Sequence, residues 1–133
     1  MKGKVMVADD DFDNRTIARE ALMAAGFEVV LATNGAEVLA KISQELPAVL
    51  LLDLSMPKMN GWEVAKKIRE NPALSKIAII AFTAHALVGD ELKAKGAGCD
   101  DYLSKPCHPK EIVTKVSSWM RAKDFIETNS EAL

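Results

Sequence analysis

The chain has 133 residues, of which 49% are hydrophobic and 27% are charged, and this is the size and composition of one folded domain rather than of a disordered segment. Its formal net charge of −2 provides no basic surface for nucleic acid or for an anionic membrane. The first apolar run is too short for a signal peptide or a membrane span, so the sequence predicts a cytoplasmic protein without membrane attachment.

Five short apolar runs predict the strands of a sheet. Each run is nearly continuous rather than alternating, and most are rich in Val, Ile or Leu. Strands that are buried on both faces have this pattern, as in a parallel sheet covered by helices. The runs cover residues 5–8, 29–32, 49–52, 77–82 and, more weakly, 102–103.

Helical patterns fill the gaps between these runs. Segments 14–26, 33–47 and 61–72 place their apolar residues on one face, and each stops at a Gly or a Pro. Segment 89–98 predicts a short fourth helix, and segment 108–123 predicts a fifth. The remaining residues, 124–133, show no convincing periodicity. We therefore expect one domain over residues 1–123, followed by a frayed or loosely docked tail.

Polar residues follow the predicted strands at the point where each strand ends. Asp9, Asp10 and Asp11 come after the first strand, and Asp53 closes the third. Strands and helices that alternate in this way predict an α/β sandwich with right-handed crossovers. Ligands of such sheets bind beyond the carboxyl ends of the strands, which is where these acids lie.

The acids need a partner if the first and third strands are neighbours. Two carboxylates about 5 Å apart repel each other by roughly 3 kcal/mol at an effective dielectric of about 20. A hard cation with oxygen ligands, Mg²⁺ or Mn²⁺ in its place, would offset that repulsion. Magnesium held in this way usually partners a phosphoryl group, whose oxygens Thr83 and Lys105 could hold. Asp53 could then act as a nucleophile and form an aspartyl phosphate.

Four motifs resemble those of the receiver domain of two-component response regulators, of the stand-alone, chemotaxis-regulator-like type. They are ADDD after the first strand, LLLDLSMPKMNGWE around Asp53, FTAHA around Thr83 and DYLSKP around Lys105. The similarity extends over about residues 4–123. Four motifs in the right order, at workable spacing, make it a specific signal, whereas one of them alone would be weak.

The resemblance implies a fold and a reaction. The fold would be flavodoxin-like, a doubly wound five-stranded parallel sheet in the order 2-1-3-4-5 with helices on both faces. Asp53 would accept a phosphoryl group from the phosphohistidine of a histidine kinase or a histidine phosphotransfer protein. Thr83 and Lys105 would bind the phosphoryl oxygens. The chain would catalyse only its own phosphorylation and dephosphorylation, and so would not be an enzyme in the usual sense.

The resemblance also implies a set of metal ligands. Asp10 would bind Mg²⁺ directly and Asp9 largely through water, together with Asp53 and the backbone carbonyl of Ser55. Helix capping is the simpler interpretation of Asp9 and Asp10. Asp11 exceeds the pair that these roles require, and we expect it to be solvated or in outer-shell contact with the metal.

Further residues match positions with a role in switching or in its tuning. Tyr102 matches the switch aromatic, which turns inward as Thr83 moves toward the phosphate, although it could be a simple edge residue. The Lys105–Pro106 bond would be cis. The side chains of Ser55 and His85 flank the path of the hydrolytic water and could tune dephosphorylation. For His85, a solvent-facing position without a role is the alternative.

The predicted function is a stand-alone phosphorylation switch of two-component signalling. Phosphorylation would repack a protein-binding surface formed by the fourth helix, the fifth strand and the fifth helix, about residues 89–121, for an unidentified downstream protein. We expect a monomer or a weak dimer. A phosphate shuttle or sink in a phosphorelay, and a pseudo-receiver scaffold that is not phosphorylated, are the alternatives within the fold.

Two other classes of protein fit the sequence less well. A Mg²⁺-dependent phosphatase of the haloacid dehalogenase type carries Asp-x-Asp-x-Thr after its first strand, where this chain has ADDDFDN. A flavodoxin needs Ser, Thr and Gly in its first loop to hold a phosphate, and here that loop is acidic.

Overall fold

Strands and helices alternate along the chain, as the apolar runs predict. The computed structural model describes residues 3–54, 56, 60–83 and 96–131, with side chains as far as residue 122. Ser55, His85 and most of the predicted fourth helix lie outside these residues. The elements are β1 (Lys4–Ala8), α1 (Phe12–Ala24), β2 (Glu28–Ala32), α2 (Gly35–Glu45), β3 (Val49–Asp53), α3 (Gly61–Glu70), β4 (Ala78–Thr83), β5 (Asp101–Ser104) and α4 (Pro109–Glu131), the last being the predicted fifth helix.

The five strands form one parallel sheet in the order β2-β1-β3-β4-β5, which confirms the predicted topology. This order makes β1 and β3 neighbours, with Ala8 beside Leu52 in the register. Asp9, which follows β1, and Asp53, the last residue of β3, therefore lie side by side at this edge of the sheet. The topology itself brings the first acidic motif to the third strand.

The core lies in two layers, one on each face of the sheet. Alternate strand residues such as Leu50 and Ile79 pack with α2 and α3, and their neighbours Leu51 and Ile80 pack with α1 and α4. This explains the continuous apolar runs, since successive side chains point to opposite faces and both faces are covered. Burial on both faces is complete for β3, but β2 and β5 are edge strands and are half-buried over much of their length.

The last helix is longer than the sequence predicts. Its backbone stays helical to Glu131, so the segment expected to fray is helical over most of its length. Residues 124–131 contain neither Gly nor Pro, and extending an existing helix costs far less than nucleating a new one. The domain boundary at residue 123 remains a prediction. Within the described residues, no helix has both the length and the apolar character that crossing a lipid bilayer requires.

The start of α3 is pressed against the end of β3, and this contact can be tested. A Cβ at Gly61 would lie 2.6 Å from the Cα of Leu54 and 2.7 Å from the carbonyl oxygen of Asp53. We expect Gly61→Ala to lower the free energy of unfolding by about 1–3 kcal/mol, measured by urea denaturation, because the backbone has to move. The control is Gly96→Ala, where no atom of the described residues lies within 4 Å. Equal losses in the two variants would contradict this packing.

Candidate functional site

Three carboxylates converge at the carboxyl edge of the sheet. Asp9, Asp10 and Asp53 each offer one oxygen, and these oxygens all lie within 4.8 Å of one another. Asp9 and Asp53 are 2% and 4% exposed, whereas Asp10 faces the solvent. The set fits a small hard cation, because Mg²⁺ prefers oxygen ligands and keeps several of its waters, for which the solvent-facing side leaves room.

Lys105 is a counter-charge for the two buried carboxylates. Its Nζ lies 2.8 Å from Oδ2 of Asp9 and 3.5 Å from Oδ2 of Asp53. Burial disfavours the charged ammonium, but the hydrogen bond to Asp9 and the charges of Asp9 and Asp53 outweigh this and raise the pKa of Lys105 above its ordinary value. The side chain is therefore a cation throughout the neutral range.

The end of β5 fixes where Lys105 enters the site. Its backbone N–H donates to the carbonyl oxygen of Thr83 at 2.7 Å, which continues the pairing of β5 with β4. The Lys105–Pro106 peptide bond is cis, as the resemblance implied. The ammonium also lies 4.9 Å from the centre of the Phe82 ring. The end of β4 thus contacts both the backbone and the side chain of Lys105, whose ammonium lies beside the acids.

The loop after β1 divides its three acids between different tasks. Asp11 caps α1, since its Oδ1 accepts a hydrogen bond from the backbone N–H of Asn14 at 2.9 Å. Its own N–H donates to Oδ1 of Asp9 at 2.9 Å. The capping that we considered for Asp9 and Asp10 therefore belongs to Asp11, and the other two carboxylates face Asp53.

Thr83 and Tyr102, the predicted switch pair, lie on adjacent strands. Thr83 is the buried last residue of β4, beside Ser104 in the register, and β4 is the strand next to β3. Tyr102 is half-buried in β5 and packs against the core layer on the α2 and α3 side. Thr83 thus ends its strand at the same edge as Asp53, whereas Tyr102 lies two residues before the end of β5.

Asp101 has a role that sequence analysis missed. Its carboxylate accepts hydrogen bonds from Nε1 of Trp119 at 2.8 Å, from Nζ of Lys115 at 3.3 Å and from the backbone N–H of Tyr102 at 2.8 Å. Burial opposes ionisation of this group, but the three hydrogen bonds prevail and lower the pKa of Asp101. The residue ties α4 to β5 beside Tyr102. The sequence feature that could have indicated this role is an acidic residue, Asp101, at the start of an apolar strand.

Comparison with known proteins decides the family. The profile of the response regulator receiver domain matches residues 5–117. The chain belongs to this family. Receiver domains are phosphoryl-accepting modules of two-component signalling, they interact with histidine kinases or phosphotransfer proteins, and they bind Mg²⁺ at an acidic pocket. Switching by phosphorylation is general to them.

Individual relatives agree with this assignment. A probable transcriptional regulator, ycf27, of Porphyra purpurea is 38% identical over 128 residues, which are 96% of this chain and 51% of that protein. The polar-differentiation response regulator DivK of Brucella anthropi is 32% identical over 120 residues, 90% of this chain and 98% of DivK. The receiver chain therefore spans about half the length of the ycf27 protein and nearly all of DivK.

A solved structure shows the same fold. The chemotaxis response regulator CheY4 of Vibrio cholerae superposes with a TM-score of 0.83 at 28% identity, covering 87% of this chain and 97% of CheY4. The likeness therefore extends over nearly the whole receiver rather than over one strand–helix unit.

Removal of the Lys105 ammonium should destabilise the receiver. We expect Lys105→Ala to lower the free energy of unfolding by about 1–3 kcal/mol, because Asp9 and Asp53 lose the cation that faces them both. Since the pKa of Lys105 is raised, this contribution is fully present below its ordinary value of 10.5 and is lost only as the pH rises through the raised value. Urea denaturation at neutral pH, with a chelator present, measures the loss.

The control for this experiment is Lys66→Ala, which removes an exposed lysine from α3. It should change the free energy of unfolding by about 0.5 kcal/mol at most. If both variants lost the same stability, the Lys105 ammonium would not be offsetting the buried carboxylates.

Proposed function

We propose that the chain is a phosphorylation switch in which Asp53 accepts a phosphoryl group from the phosphohistidine of a histidine kinase or a histidine phosphotransfer protein. The observation that carries this proposal is the convergence of Asp9, Asp10 and Asp53 around the ammonium of Lys105. Membership of the receiver family supports it, because receivers accept phosphoryl groups.

The proposed reaction is a direct displacement at phosphorus. An oxygen of the Asp53 carboxylate attacks the phosphorus atom, the bond between phosphorus and the imidazole nitrogen breaks, and its electron pair stays on the imidazole, which takes up a proton. Asp53 is buried at the end of a rigid central strand, so its carboxylate is held in place for the attack.

The residues around Asp53 divide the remaining work. Asp9, Asp10, Asp53 and the backbone carbonyl of Ser55 would hold magnesium, which would supply positive charge to offset that of the phosphoryl group. Lys105 exchanges its contact with the Asp53 carboxylate for a phosphoryl oxygen, and the hydroxyl of Thr83 binds another. The ammonium of Lys105 thus already contacts Asp53 before the phosphohistidine binds.

The output surface lies along β5 and α4. A groove of about 680 Å³ runs between the strand and the helix, and Tyr102, Ser104 and Lys110 contribute to its lining. Tyr102, the predicted switch aromatic, is one of the lining residues, so a rearrangement of Tyr102 on phosphorylation would alter this surface. We propose that the groove, with the predicted fourth helix at 89–98, binds the downstream protein in a phosphorylation-dependent way.

The phosphoacceptor can be identified by substitution. Incubation with acetyl phosphate and Mg²⁺ should add one phosphoryl group to the wild-type chain, measured by intact mass spectrometry, and Asp53→Asn should abolish this addition because the nucleophile is gone. Asp11→Asn makes the same chemical change at the cap of α1, where Asn caps equally well, and should be phosphorylated like the wild type. A phosphorylated Asp53→Asn chain would refute the assignment, as would an unphosphorylated wild type, the result expected of a pseudo-receiver.

The requirement for a divalent cation can be tested with the same assay. A chelator should reduce phosphorylation to the background, because the carboxylates and the phosphoryl group then repel each other, and added Mg²⁺ or Mn²⁺ should restore it. Phosphorylation that continued unchanged in the chelator would show that the acidic cluster works without a metal.

A further inference from the structure

We propose that Arg15 is a positioning residue for the metal site, holding the acidic loop, residues 9–11, from the first turns of α1. The inference rests on the proposed function of that loop. Nη1 of Arg15 donates a hydrogen bond to the carbonyl oxygen of Asp9 at 2.8 Å. Arg15 is thus a cation bound to the backbone of the loop, whereas Lys105 binds the Asp9 side chain at Oδ2.

The bonded oxygen determines where the next residue lies. The carbonyl oxygen of Asp9 belongs to the same planar peptide unit as the N and Cα of Asp10. A donor fixed to that oxygen therefore restricts rotation of the peptide that leads to Asp10. Because Asp10 is the solvent-facing member of the cluster, its position depends more on the backbone than on packing of its side chain.

Other hydrogen bonds already hold the loop on either side of this peptide. The N–H of Asp9 donates to the carbonyl oxygen of Ala32 at 3.1 Å, and the N–H of Arg15 donates to that of Asp11 at 3.0 Å. The N–H of Asp11 is bound to the Asp9 carboxylate. The guanidinium of Arg15 adds the bond to the Asp9 carbonyl, which restrains the peptide between Asp9 and Asp10.

The Phe12 ring lies against the guanidinium of Arg15. The two residues are three apart on α1 and so share a helix face, and the guanidinium carbon lies 5.7 Å from the centre of the Phe12 ring. Phe12 is 69% exposed, the highest value among the exposed large apolar residues of the described part of the chain, and covering Arg15 gives the ring a contact there. Phe12, Arg15 and the Asp9 carbonyl thus form a continuous contact from α1 to the acidic loop.

The direction in which the Mg²⁺ affinity changes when Arg15 is removed distinguishes a positioning role from an effect of its charge alone. A positive charge close to the cluster repels a divalent cation, so removing it should tighten Mg²⁺ binding if Arg15 acts through its charge alone. If Arg15 positions the loop, removing it should weaken Mg²⁺ binding in spite of the lost charge. Substitution of a residue that hydrogen-bonds to a metal ligand without touching the metal typically lowers metal affinity by about tenfold or more.

The experiment is a calorimetric titration of the full chain with magnesium chloride. We expect Arg15→Met, which keeps the length and the helix propensity but has no donor, to weaken Mg²⁺ binding about tenfold. Arg15→Lys should restore part of the affinity, because an ammonium can still donate to the Asp9 carbonyl. The matched control is Arg19→Met, which removes the same charge one turn further along α1. It should leave the affinity unchanged or slightly higher.

Each outcome has a separate meaning. Arg15→Met that binds Mg²⁺ as tightly as the wild type, or more tightly, would overturn the inference. The proposed function would still stand in that case if the wild type were phosphorylated. A wild-type chain that took up neither Mg²⁺ nor a phosphoryl group would instead refute the proposed function. Urea denaturation checks that Arg15→Met is folded. If it is not, the same Mg²⁺ titration is made with Phe12→Ala, which removes the ring that lies against the guanidinium. Weaker Mg²⁺ binding then supports the inference, and unchanged binding overturns it.

Discussion

Mutual repulsion among carboxylates is the constraint on which this site depends. Asp9 and Asp53 are almost completely buried, and a buried charge is tolerated only when another charge or a hydrogen bond compensates it. Lys105 supplies that compensation from the residue after β5, the strand two positions away from β3 in the sheet. The charges that compensate one another thus come from three different segments of the chain, which the fold brings together.

The same ammonium would link the charge balance to phosphorylation in the proposed switch. It contacts both buried carboxylates, so any group that brings new charge to Asp53 changes the balance of its bonds. Lys105 follows β5 directly, and Asp101 and Tyr102 lie in that strand, so a shift at the lysine has a short covalent path to the groove between β5 and α4. The edge strand is half-buried and carries fewer packing restraints than the central strands, which suits the movement that the proposed switch requires.

The sequence predicted those features that depend on local pattern. Continuous apolar runs follow from a sheet covered on both faces, and acids at strand ends follow from the polarity of parallel strands. The residue pattern therefore placed Asp9, Asp10 and Asp53 at one edge of the sheet, and the strand order implied by the family resemblance made their strands neighbours. The bonds of Arg15 to Asp9 and of Trp119 to Asp101 could not be predicted in this way. They join side chains to groups elsewhere in the fold, and such pairings leave no periodic signal. The helical backbone beyond residue 123 escaped prediction for a related reason, since helix extension requires no apolar stripe of its own.

The two tryptophans lie on opposite sides of the sheet. Trp62 packs with the layer of α2 and α3, and Trp119 packs with the layer of α1 and α4, where its indole is bound to a carboxylate. Indole emission responds to hydrogen bonding and to nearby charge, so each layer carries its own intrinsic optical reporter. Replacing one indole at a time would therefore reveal which face of the sheet rearranges, without any attached dye.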